Sequence, residues 1–429
     1  MNHNPRYSNS TAWLERAEKT IPLGSQTFSK SKICYPEEVS PLYLSKGSGA
    51  KVWDIDGNQY IDFVNGLLSV SLGYCDPDVD NAVCNQIKNG VTFSLPHTLE
   101  VEVSELLVQH IPCAEMVRFG KNGSDATSAA IRLARAYTNK EHVAVCGYHG
   151  WQDWYIGSTT RSLGVPEAVK ALTHSFQYND LSSLQQIFDK QSLAAVIIEP
   201  MNLYYPNKDF LKGVQQLCQQ NNTVLIFDET ITGFRFSLGG AQQLFGVIPD
   251  LATFGKGMAN GYPISAVVGK QEIMETMSDI FFSGTFAGET LSLAAAKATI
   301  NKIVNHKVIE HIVDLGKQLE QGLKQIMESM SNPEWLSVTG HPSWLFVLID
   351  DCKTYTSLQL KSLFLQEMQK RGFLINGGHN LSFSHQQQDI DQLLSAYQEV
   401  LPLLAKTIED LDLDDKFNGK FIEPVFKVR

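Results

Sequence analysis

The sequence predicts an α/β fold with a large domain built on a mixed, mostly parallel sheet and a smaller α+β domain. From about residue 65 to residue 300, short apolar runs alternate with helical patterns. This alternation is typical of a mostly parallel sheet with helices on both faces. Beyond residue 300, helical stretches are followed by two further apolar runs. The predicted strands of the large domain are Met116–Phe119, His142–Cys146, Ala194–Glu199, Val224–Asp228, Leu251–Phe254 and Ala266–Gly269.

We expect three segments along the chain. Residues 1–64 form an N-terminal segment that joins the small domain, residues 65–300 form the large domain, and residues 301–429 form the C-terminal small domain. After Gly288 one long helical stretch is expected over about residues 290–330. The other predicted elements are strands Tyr43–Ser45, Val52–Ile55, Tyr60–Val64, Trp344–Leu348 and Phe373–Ile375, and helices near 357–371 and 387–407.

The first predicted helix carries its own boundary signals. Ser10 or Thr11 is expected to cap it, and Pro22 with Gly24 is expected to stop it. A hairpin turn is expected at Asp56–Gly57–Asn58.

Composition excludes several classes of partner. The chain has 429 residues and a formal net charge of −11, without a run of Lys or Arg, so neither nucleic acid nor an anionic membrane is an expected partner. The seven cysteines are scattered and form no CxxC pair, so no metal site and no disulfide framework is expected. The polar N-terminus and the lack of a membrane-length apolar run predict a cytoplasmic protein.

The stretch Leu251–Ala266 contains Lys256 between Gly255 and Gly257, directly after an apolar run. Glycine lets a backbone approach a ligand closely. A partly desolvated lysine there can become an amine nucleophile that forms a Schiff base with a carbonyl, as it does with pyridoxal phosphate (PLP). The alternative is a solvated lysine in an ordinary loop.

A second stretch, Val224–Arg235, favours the cofactor interpretation. Its apolar strand ends at Asp228, and ligands of open α/β sheets bind at the carboxyl ends of strands. An aspartate there can keep a pyridine nitrogen protonated and make the ring an electron sink. The alternative is a helix-capping or loop carboxylate.

Gly120–Ala126 follows another predicted strand and opens a helix with a small apolar face. The free amides and the positive dipole end of a helix N-terminus suit a phosphate, and Ser124 adds a hydroxyl beside Gly123. The alternative is a helix that is merely capped.

Three further groups follow strands or lie in small-residue loops. Tyr148 and His149 follow the strand His142–Cys146, where an aromatic ring can stack on a flat cofactor. Glu199 ends another strand and could orient a ring substituent or cap a turn. Thr285 lies in the loop SGTFAGET, for which ordinary turn chemistry is the alternative.

In combination, the ordered motifs NGSDA, YHG, EP, FDETITGF, FGKG and SGTFAGE resemble the class III aminotransferases, which are PLP enzymes of fold type I. The resemblance is closest to the branch that contains glutamate-1-semialdehyde aminomutase, and it covers almost the whole chain. It implies PLP as the cofactor and a homodimer with shared active sites.

The resemblance also implies a role for each motif residue. Lys256 resembles the Schiff-base lysine, Asp228 the partner of the pyridine nitrogen, and Tyr148 the residue stacked on the ring. The implied cofactor-binding set is Gly123, Ser124, Tyr148, His149, Glu199, Asp228, Thr230, Lys256 and Thr285, and Thr285 would reach the phosphate of the neighbouring subunit.

Three positions depart from the family pattern. Thr230 stands where the family usually has an aliphatic residue that packs under the ring. Lys30 stands where aminomutases have an arginine that helps bind the semialdehyde, and Gly377 stands at the position of their gating glutamate. The last two departures argue against the mutase reaction.

We therefore expect a PLP-dependent aminotransferase that uses a small-molecule amino donor and a carbonyl acceptor. Sequences of this kind suggest a sugar or nucleotide-sugar related acceptor in surface-polysaccharide synthesis. The alternatives are glutamate-1-semialdehyde 2,1-aminomutase and a non-catalytic protein that keeps the PLP fold.

Overall fold

A computed structural model describes residues 5–425 and divides them into two compact units. The first unit comprises residues 5–67, 72–76 and 310–425, and the second comprises residues 68–71 and 77–309. The described strands are β1 (Leu44–Ser48), β2 (Lys51–Asp54), β3 (Gln59–Asp62), β4 (Met116–Gly120), β5 (His142–Cys146), β6 (Thr173–Ser175), β7 (Leu193–Ile198), β8 (Val224–Asp228), β9 (Leu251–Phe254), β10 (Ser265–Gly269), β11 (Leu336–His341), β12 (Trp344–Ile349), β13 (Phe373–Leu374) and β14 (Gly378–Asn380).

Helices surround these strands in both units. The described helices are α1 (Ser8–Ala17), α2 (Asn65–Leu68), α3 (Pro77–Ile87), α4 (Thr98–His110), α5 (Gly123–Thr138), α6 (Asp153–Ile156), α7 (Glu167–Lys170), α8 (Leu181–Phe188), α9 (Phe210–Gln220), α10 (Ala241–Phe245), α11 (Gln271–Met274), α12 (Thr290–Asn305), α13 (Val308–Ser329), α14 (Ser357–Lys370), α15 (Gln387–Asp410) and α16 (Leu413–Lys416). Of these, α2 is a single turn whose four residues all have positive φ.

The second unit is built on a seven-stranded sheet in the order β4-β10-β9-β8-β7-β5-β6. All neighbours pair in parallel except β10, which runs antiparallel to β4 and β9. The predicted α/β class with a mixed, mostly parallel sheet is confirmed. The six predicted strands are present within a residue or two, whereas β6 was missed because Thr173–Ser175 is too short and polar to form an apolar run.

Burial explains why the central strands are continuously apolar. Every residue of β7, β8, β9 and β10 is buried, as a parallel sheet covered on both faces requires. Helix α5 packs against the sheet with alanines, because small side chains allow a close approach of helix and strand. The α5 alanines in this core are Ala129, Ala130 and Ala134.

The first unit contains two smaller sheets, β1-β2-β3-β13 and β11-β12-β14. Strand β13 lies parallel to β3, so the N-terminal and C-terminal parts of the chain share one sheet. Asn380 strengthens this junction, because its Nδ2 donates to the carbonyl of Val64 at 2.7 Å.

Two local predictions were wrong. Helix α1 begins at Ser8, ahead of the expected caps, and the carboxylate of Asp56 accepts the amides of Asn9 (2.7 Å) and Ser10 (2.9 Å). A cap supplied from so far along the chain leaves no local signal.

The single helical stretch expected over 290–330 is interrupted at Lys307, whose φ of 51° ends the helical path between α12 and α13.

Candidate active site

The carboxylate of Asp228 lies at the carboxyl end of β8, where it is buried. Its Oδ1 accepts from the backbone N (3.1 Å) and Oγ1 (2.5 Å) of Thr230 and from Oγ1 of Thr253 (3.0 Å). Burial raises the pKa of Asp228, but the hydrogen bond and charge of His149 and the hydrogen bonds from Thr230 outweigh burial, so the pKa lies below its ordinary value. The site therefore holds an ionised carboxylate.

His149 is buried against Asp228. Its Nδ1 lies 2.9 Å from Oδ2 of Asp228 and its Nε2 lies 3.2 Å from the carbonyl oxygen of Cys146. A carboxylate and a carbonyl can only accept hydrogen bonds. An imidazole that carries protons on both nitrogens satisfies both oxygens and adds a positive charge beside Asp228.

Lys256 begins the segment that follows β9, and its φ of 43° lies in the left-handed region. Such backbone conformations are uncommon for residues other than glycine and concentrate at functional sites. Burial lowers the pKa of the Lys256 ammonium and Arg235 lowers it further, while Glu199 and Asp228 act in the opposite direction. The net shift is downward, which favours the neutral, nucleophilic amine.

Glu199 follows β7 directly and connects two loops at this edge of the sheet. Its Oε2 accepts from the backbone N of Tyr148 at 2.8 Å and from Nδ2 of Asn202 at 2.9 Å. Burial raises the pKa of Glu199, and these hydrogen bonds oppose it. The ring of Tyr148 packs edge-on against Tyr155 and is 46% exposed, which leaves part of it open to a ligand.

The N-terminus of α5 offers hydrogen-bond donors to an anion. Asp125 accepts the amides of Lys121 (2.9 Å) and Asn122 (2.8 Å). The next two amides, those of Gly123 and Ser124, have no partner within residues 5–425. Two unpaired amides at the positive end of a helix suit an anion such as a phosphate.

Gly150 allows the loop after β5 to close over this helix terminus. Its φ is +106°, and a Cβ there would lie 2.3 Å from Oγ of Ser124. The amide of Trp151 donates to the same Oγ at 3.3 Å. The hydroxyl of Ser124 is therefore held beside the unpaired amides.

Thr230 lies between the α5 terminus, the loop before Lys256 and the carboxylate of Asp228. Its Cγ2 lies 3.2 Å from the position that a Cβ of Gly123 would take and 3.4 Å from the corresponding position at Gly255. Its hydroxyl donates to Asp228. The methyl group thus packs between the α5 terminus and the loop that precedes Lys256.

Thr285 lies apart from these contacts. Its side chain is exposed in the loop that precedes α12, and within the described part of the chain it makes no hydrogen bond to the other site residues. Arg132 and Arg118 hold the loop by donating to the carbonyls of Phe281 (2.6 Å) and Phe282 (3.1 Å).

Two residues of the site were missed by sequence reasoning. Thr253 lies inside the apolar run of β9, where a β-branched residue indicates only a strand, yet the register pairs it with Asp228. A polar residue in an apolar run beside that strand is the signal that could have found it. Asn202 follows Glu199 by three residues in a loop without a motif.

This arrangement suits PLP. Oδ2 of Asp228 accepts from His149 and has capacity for a second donor, such as a protonated ring nitrogen. The α5 terminus suits the phosphate, and the amine of Lys256 can bond to an aldehyde carbon.

Comparison with known proteins agrees with this chemistry. The family model of the class III aminotransferases matches residues 34–384. The chain belongs to the class III aminotransferases. Members of this family use PLP, so the predictions of fold type I, PLP and aminotransferase activity are confirmed.

Relatives of this class III aminotransferase include transferases and mutases. It is 34% identical over 415 residues to a 3-aminobutyryl-CoA aminotransferase of Cloacimonas acidaminovorans, covering 94% of this chain and 99% of that protein. It is 38% identical over 306 residues to a glutamate-1-semialdehyde 2,1-aminomutase of Archaeoglobus fulgidus, covering 67% of this chain and 73% of that protein. The predicted likeness to the aminomutase branch is confirmed.

The fold matches solved structures that contain the cofactor. The FumI protein of Sphingopyxis sp. MTA144, solved in its PLP internal aldimine form, superposes with a TM-score of 0.85 at 27% identity. The match covers 94% of this chain and 97% of that one. The aminotransferase therefore has the fold of a PLP enzyme over nearly all of its length.

Residues 5–425 contain neither a membrane-spanning helix nor a cluster of metal-binding side chains. No helix in this range is long and apolar enough to cross a membrane. The same residues contain no group of three or more His, Cys, Asp or Glu side chains that could hold a metal ion.

Proposed function

We propose that this aminotransferase uses Lys256 as its catalytic amine and Asp228 as the partner of the cofactor ring, and that it transfers an amino group between two small molecules. The observation that carries the proposal is the buried, ionised Asp228 at the end of β8, held by His149, Thr230 and Thr253. Lys256 lies within electrostatic range of this carboxylate.

When bound, PLP supplies a ring that withdraws electrons from the substrate carbon. The carboxylate of Asp228 would hold a proton on the ring nitrogen. The amides of Gly123 and Ser124 would hold the phosphate, and Tyr148 would offer its partly exposed ring to the cofactor. The amine of Lys256 would act as general base and then as general acid, taking a proton from the substrate carbon and giving one back.

A transferase is favoured over a mutase by two positions in the first unit. Gly377 has a φ of +97°, where an L residue is strained. A glutamate gate at this position would therefore be disfavoured. Lys30 offers a point charge where an arginine would grip a carboxylate with two parallel hydrogen bonds.

For the acceptor, we propose a sugar or nucleotide-sugar related carbonyl compound. The proposal is supported by exposed aromatic rings in the loops after β5 and β7, where Trp151 is 64% exposed and Tyr204 is 55% exposed. Aromatic faces can pack against the apolar face of a sugar or against a base. A second candidate, a 3-oxoacyl thioester, is favoured by the relative from Cloacimonas acidaminovorans.

We further propose a cytoplasmic homodimer in which Thr285 contributes to the partner's phosphate site. Two large apolar side chains flank the threonine in its loop: Phe281 is 80% exposed and Phe286 is 60% exposed. Exposed apolar clusters of this kind are typical of an interface. Light scattering should give twice the chain mass, and a monomeric active enzyme would contradict the proposal.

The reaction class is tested with single substrates. The holoenzyme is mixed with one amino donor at a time, without an acceptor, and the absorption band of the cofactor is followed. We expect one donor to convert the band, and an added carbonyl acceptor to restore it. Rapid formation of 5-aminolevulinate from glutamate 1-semialdehyde without a donor would instead establish the mutase. A protein that takes up PLP but responds to neither would be the non-catalytic alternative.

A further inference from the structure

The second unit contains an open cavity of about 440 Å³ outside the candidate active site. Its walls are formed by side chains of α5, α6 and α7 and by the residue that precedes α6. None of these side chains belongs to the cofactor-binding set described above. The volume lies in the range of small-molecule sites.

Helix α5 supplies one wall of this cavity. Ser128, Ile131, Arg132 and Arg135 have the i, i+3, i+4 and i+7 spacing that places side chains on one face of a helix. Arg132 lies about 14 Å along the helix from Gly123, at roughly 1.5 Å per residue. The cavity is therefore separate from the anion-binding end of the same helix.

Hydrogen bonds fix the facing wall, which α6 supplies. Nε1 of Trp154 donates to Oγ of Ser128 at 3.0 Å and holds α6 against α5. The hydroxyl of Thr173, on the edge strand β6, donates to the carbonyl of Trp154. Trp154 itself is buried. A wall that is already rigid loses little conformational entropy when a ligand binds to it.

Three charged side chains line the cavity, and none of them forms an ion pair within the described part of the chain: Arg132, Arg135 and Asp153. Nη1 of Arg132 donates to the carbonyl of Phe281 at 2.6 Å, and Nε of Arg135 donates to the carbonyl of Glu141 at 2.8 Å. Because a guanidinium has five N–H donors, most donors of both groups have no acceptor among residues 5–425. The carboxylate of Asp153 likewise accepts no hydrogen bond from these residues.

The partial burial of Arg135 favours an anionic ligand. Burial lowers the pKa of Arg135, and the charge of Glu141 opposes this only in part. A cation that has lost part of its hydration is stabilised by a carboxylate that binds it with good geometry. Arg132, which is exposed, offers a second guanidinium to the same cavity.

The charges of the cavity specify the charges of its ligand. A molecule that satisfies Arg132, Arg135 and Asp153 together carries two anionic groups and one cationic group. Two carboxylates and one ammonium on a short carbon chain are the groups of an acidic amino acid. Such a molecule is also small enough for the volume available.

We propose that this cavity binds a free acidic amino acid, whose two carboxylates accept from Arg132 and Arg135 and whose ammonium donates to Asp153. The amino acid is bound there without being consumed, because no residue of the cofactor-binding set lines the cavity. The proposal depends on none of the roles assigned to Lys256 and Asp228.

The test is isothermal titration of L-glutamate into holoenzyme that has been reduced with borohydride, so that its cofactor cannot exchange amino groups. We expect saturable binding that weakens about tenfold in Arg132→Gln and in Arg135→Gln, because each variant loses a charge-assisted contact with a carboxylate. Thermal unfolding of every variant should confirm that it folds.

Asp153→Asn distinguishes ligand recognition from a structural role. It should weaken binding of L-glutamate about fivefold, because the ammonium loses its ionised partner. The same variant should bind glutarate more tightly than wild type does, since glutarate has the two carboxylates but no ammonium and Asp153 repels it. A purely structural effect would change the affinity for both molecules in the same direction.

Two control variants isolate the cavity. Arg118→Gln is matched to Arg132→Gln, because Arg118 is also exposed and donates to a carbonyl of the same loop, that of Phe282 at 3.1 Å, but does not line the cavity. Asp279→Asn removes an exposed aspartate of the same unit. Both variants should bind L-glutamate within about twofold of wild type.

Four results would overturn the proposal. The first is a titration with L-glutamate that does not saturate. The second is wild-type affinity in both Arg132→Gln and Arg135→Gln. The third is an equal loss of affinity in Arg118→Gln and Arg132→Gln, which would attribute the effect to the loop. The fourth is a shift of L-glutamate and glutarate in the same direction in Asp153→Asn.

Discussion

Nδ1 of His149 lies 2.9 Å from Oδ2 of Asp228, and both side chains are buried. The contact joins the loop after β5 to the end of β8, two strands that are not neighbours in the sheet. A buried carboxylate would otherwise be driven towards its neutral form. His149 therefore sets the charge of Asp228, and with it the ability of Asp228 to hold a proton on a cofactor ring.

Replacing His149 should change the pH dependence of the reaction. In His149→Phe the pKa of Asp228 loses its main lowering contacts, so burial should move it upward. We expect the acid limb of kcat/KM to shift to higher pH and the rate at neutral pH to fall about tenfold or more. His306→Gln, at an exposed histidine, is the control. An unchanged acid limb in folded His149→Phe would contradict the role assigned to this contact.

Lys256 should be the residue that bonds covalently to PLP. Borohydride reduction of the holoenzyme followed by peptide mapping should place the label on Lys256, because its lowered pKa favours the free amine. Lys256→Ala should bind PLP weakly through the α5 terminus and transfer no amino group. Lys270→Ala removes an exposed lysine paired with Asp250. This variant should carry the label on Lys256 and should be as active as wild type. Label on any other lysine would exclude the assignment.

The hydroxyl of Thr230 should lower the pKa of Asp228 by less than His149 does. Thr230→Val keeps a methyl group near Gly123 and Gly255 but removes the 2.5 Å hydrogen bond to Asp228. We expect kcat/KM to fall about threefold to tenfold, with a smaller shift of the acid limb, because no charge is lost. Thr230→Ser restores the hydroxyl and should recover most of the activity. Equal activity in all three proteins would show that the hydroxyl is dispensable.

The sequence was sufficient to predict which polar residues lie at the ends of apolar strands. Asp228 ends one apolar strand, Glu199 directly follows another, and Lys256 follows a third after one glycine. The carboxyl ends of parallel strands share one edge of the sheet. The sequence could not show that Thr253 pairs with Asp228, since register is a property of two strands. It also gave no sign of the Asp56 cap, which depends on contacts between distant segments.

The left-handed turn at Asn65–Leu68 was beyond sequence reasoning for a different reason. Gly66 and, to a lesser degree, Asn65 tolerate positive φ by themselves, but two leucines would predict ordinary helix or strand. The conformation is imposed by Asp62 and Tyr74, which hold the turn from neighbouring segments of the first unit. Tertiary contacts here override local preference.

A last prediction concerns His379, which is fully buried on β14. Its Nδ1 lies 3.2 Å from the carbonyl oxygen of Leu345 and its Nε2 lies 2.8 Å from the hydroxyl of Tyr397. The neutral ring satisfies both partners by donating through Nδ1 and accepting through Nε2. Burial lowers the pKa of His379 to about 4, against which the contact with Leu345 acts only weakly.

Proton binding at His379 decides how stability depends on pH. Between pH 6.5 and about 4 the unfolded chain takes up a proton at His379 that the folded protein does not. His379 should therefore leave the free energy of unfolding unchanged above about pH 6.5. It should lower this free energy by about 3 kcal/mol as the pH drops to 4. His379→Gln keeps a donor and an acceptor but cannot be protonated, so it should lose less stability than wild type over this range. Urea unfolding of wild type, His379→Gln and His306→Gln measures the difference, and parallel curves for wild type and His379→Gln would exclude His379 as the source of acid sensitivity.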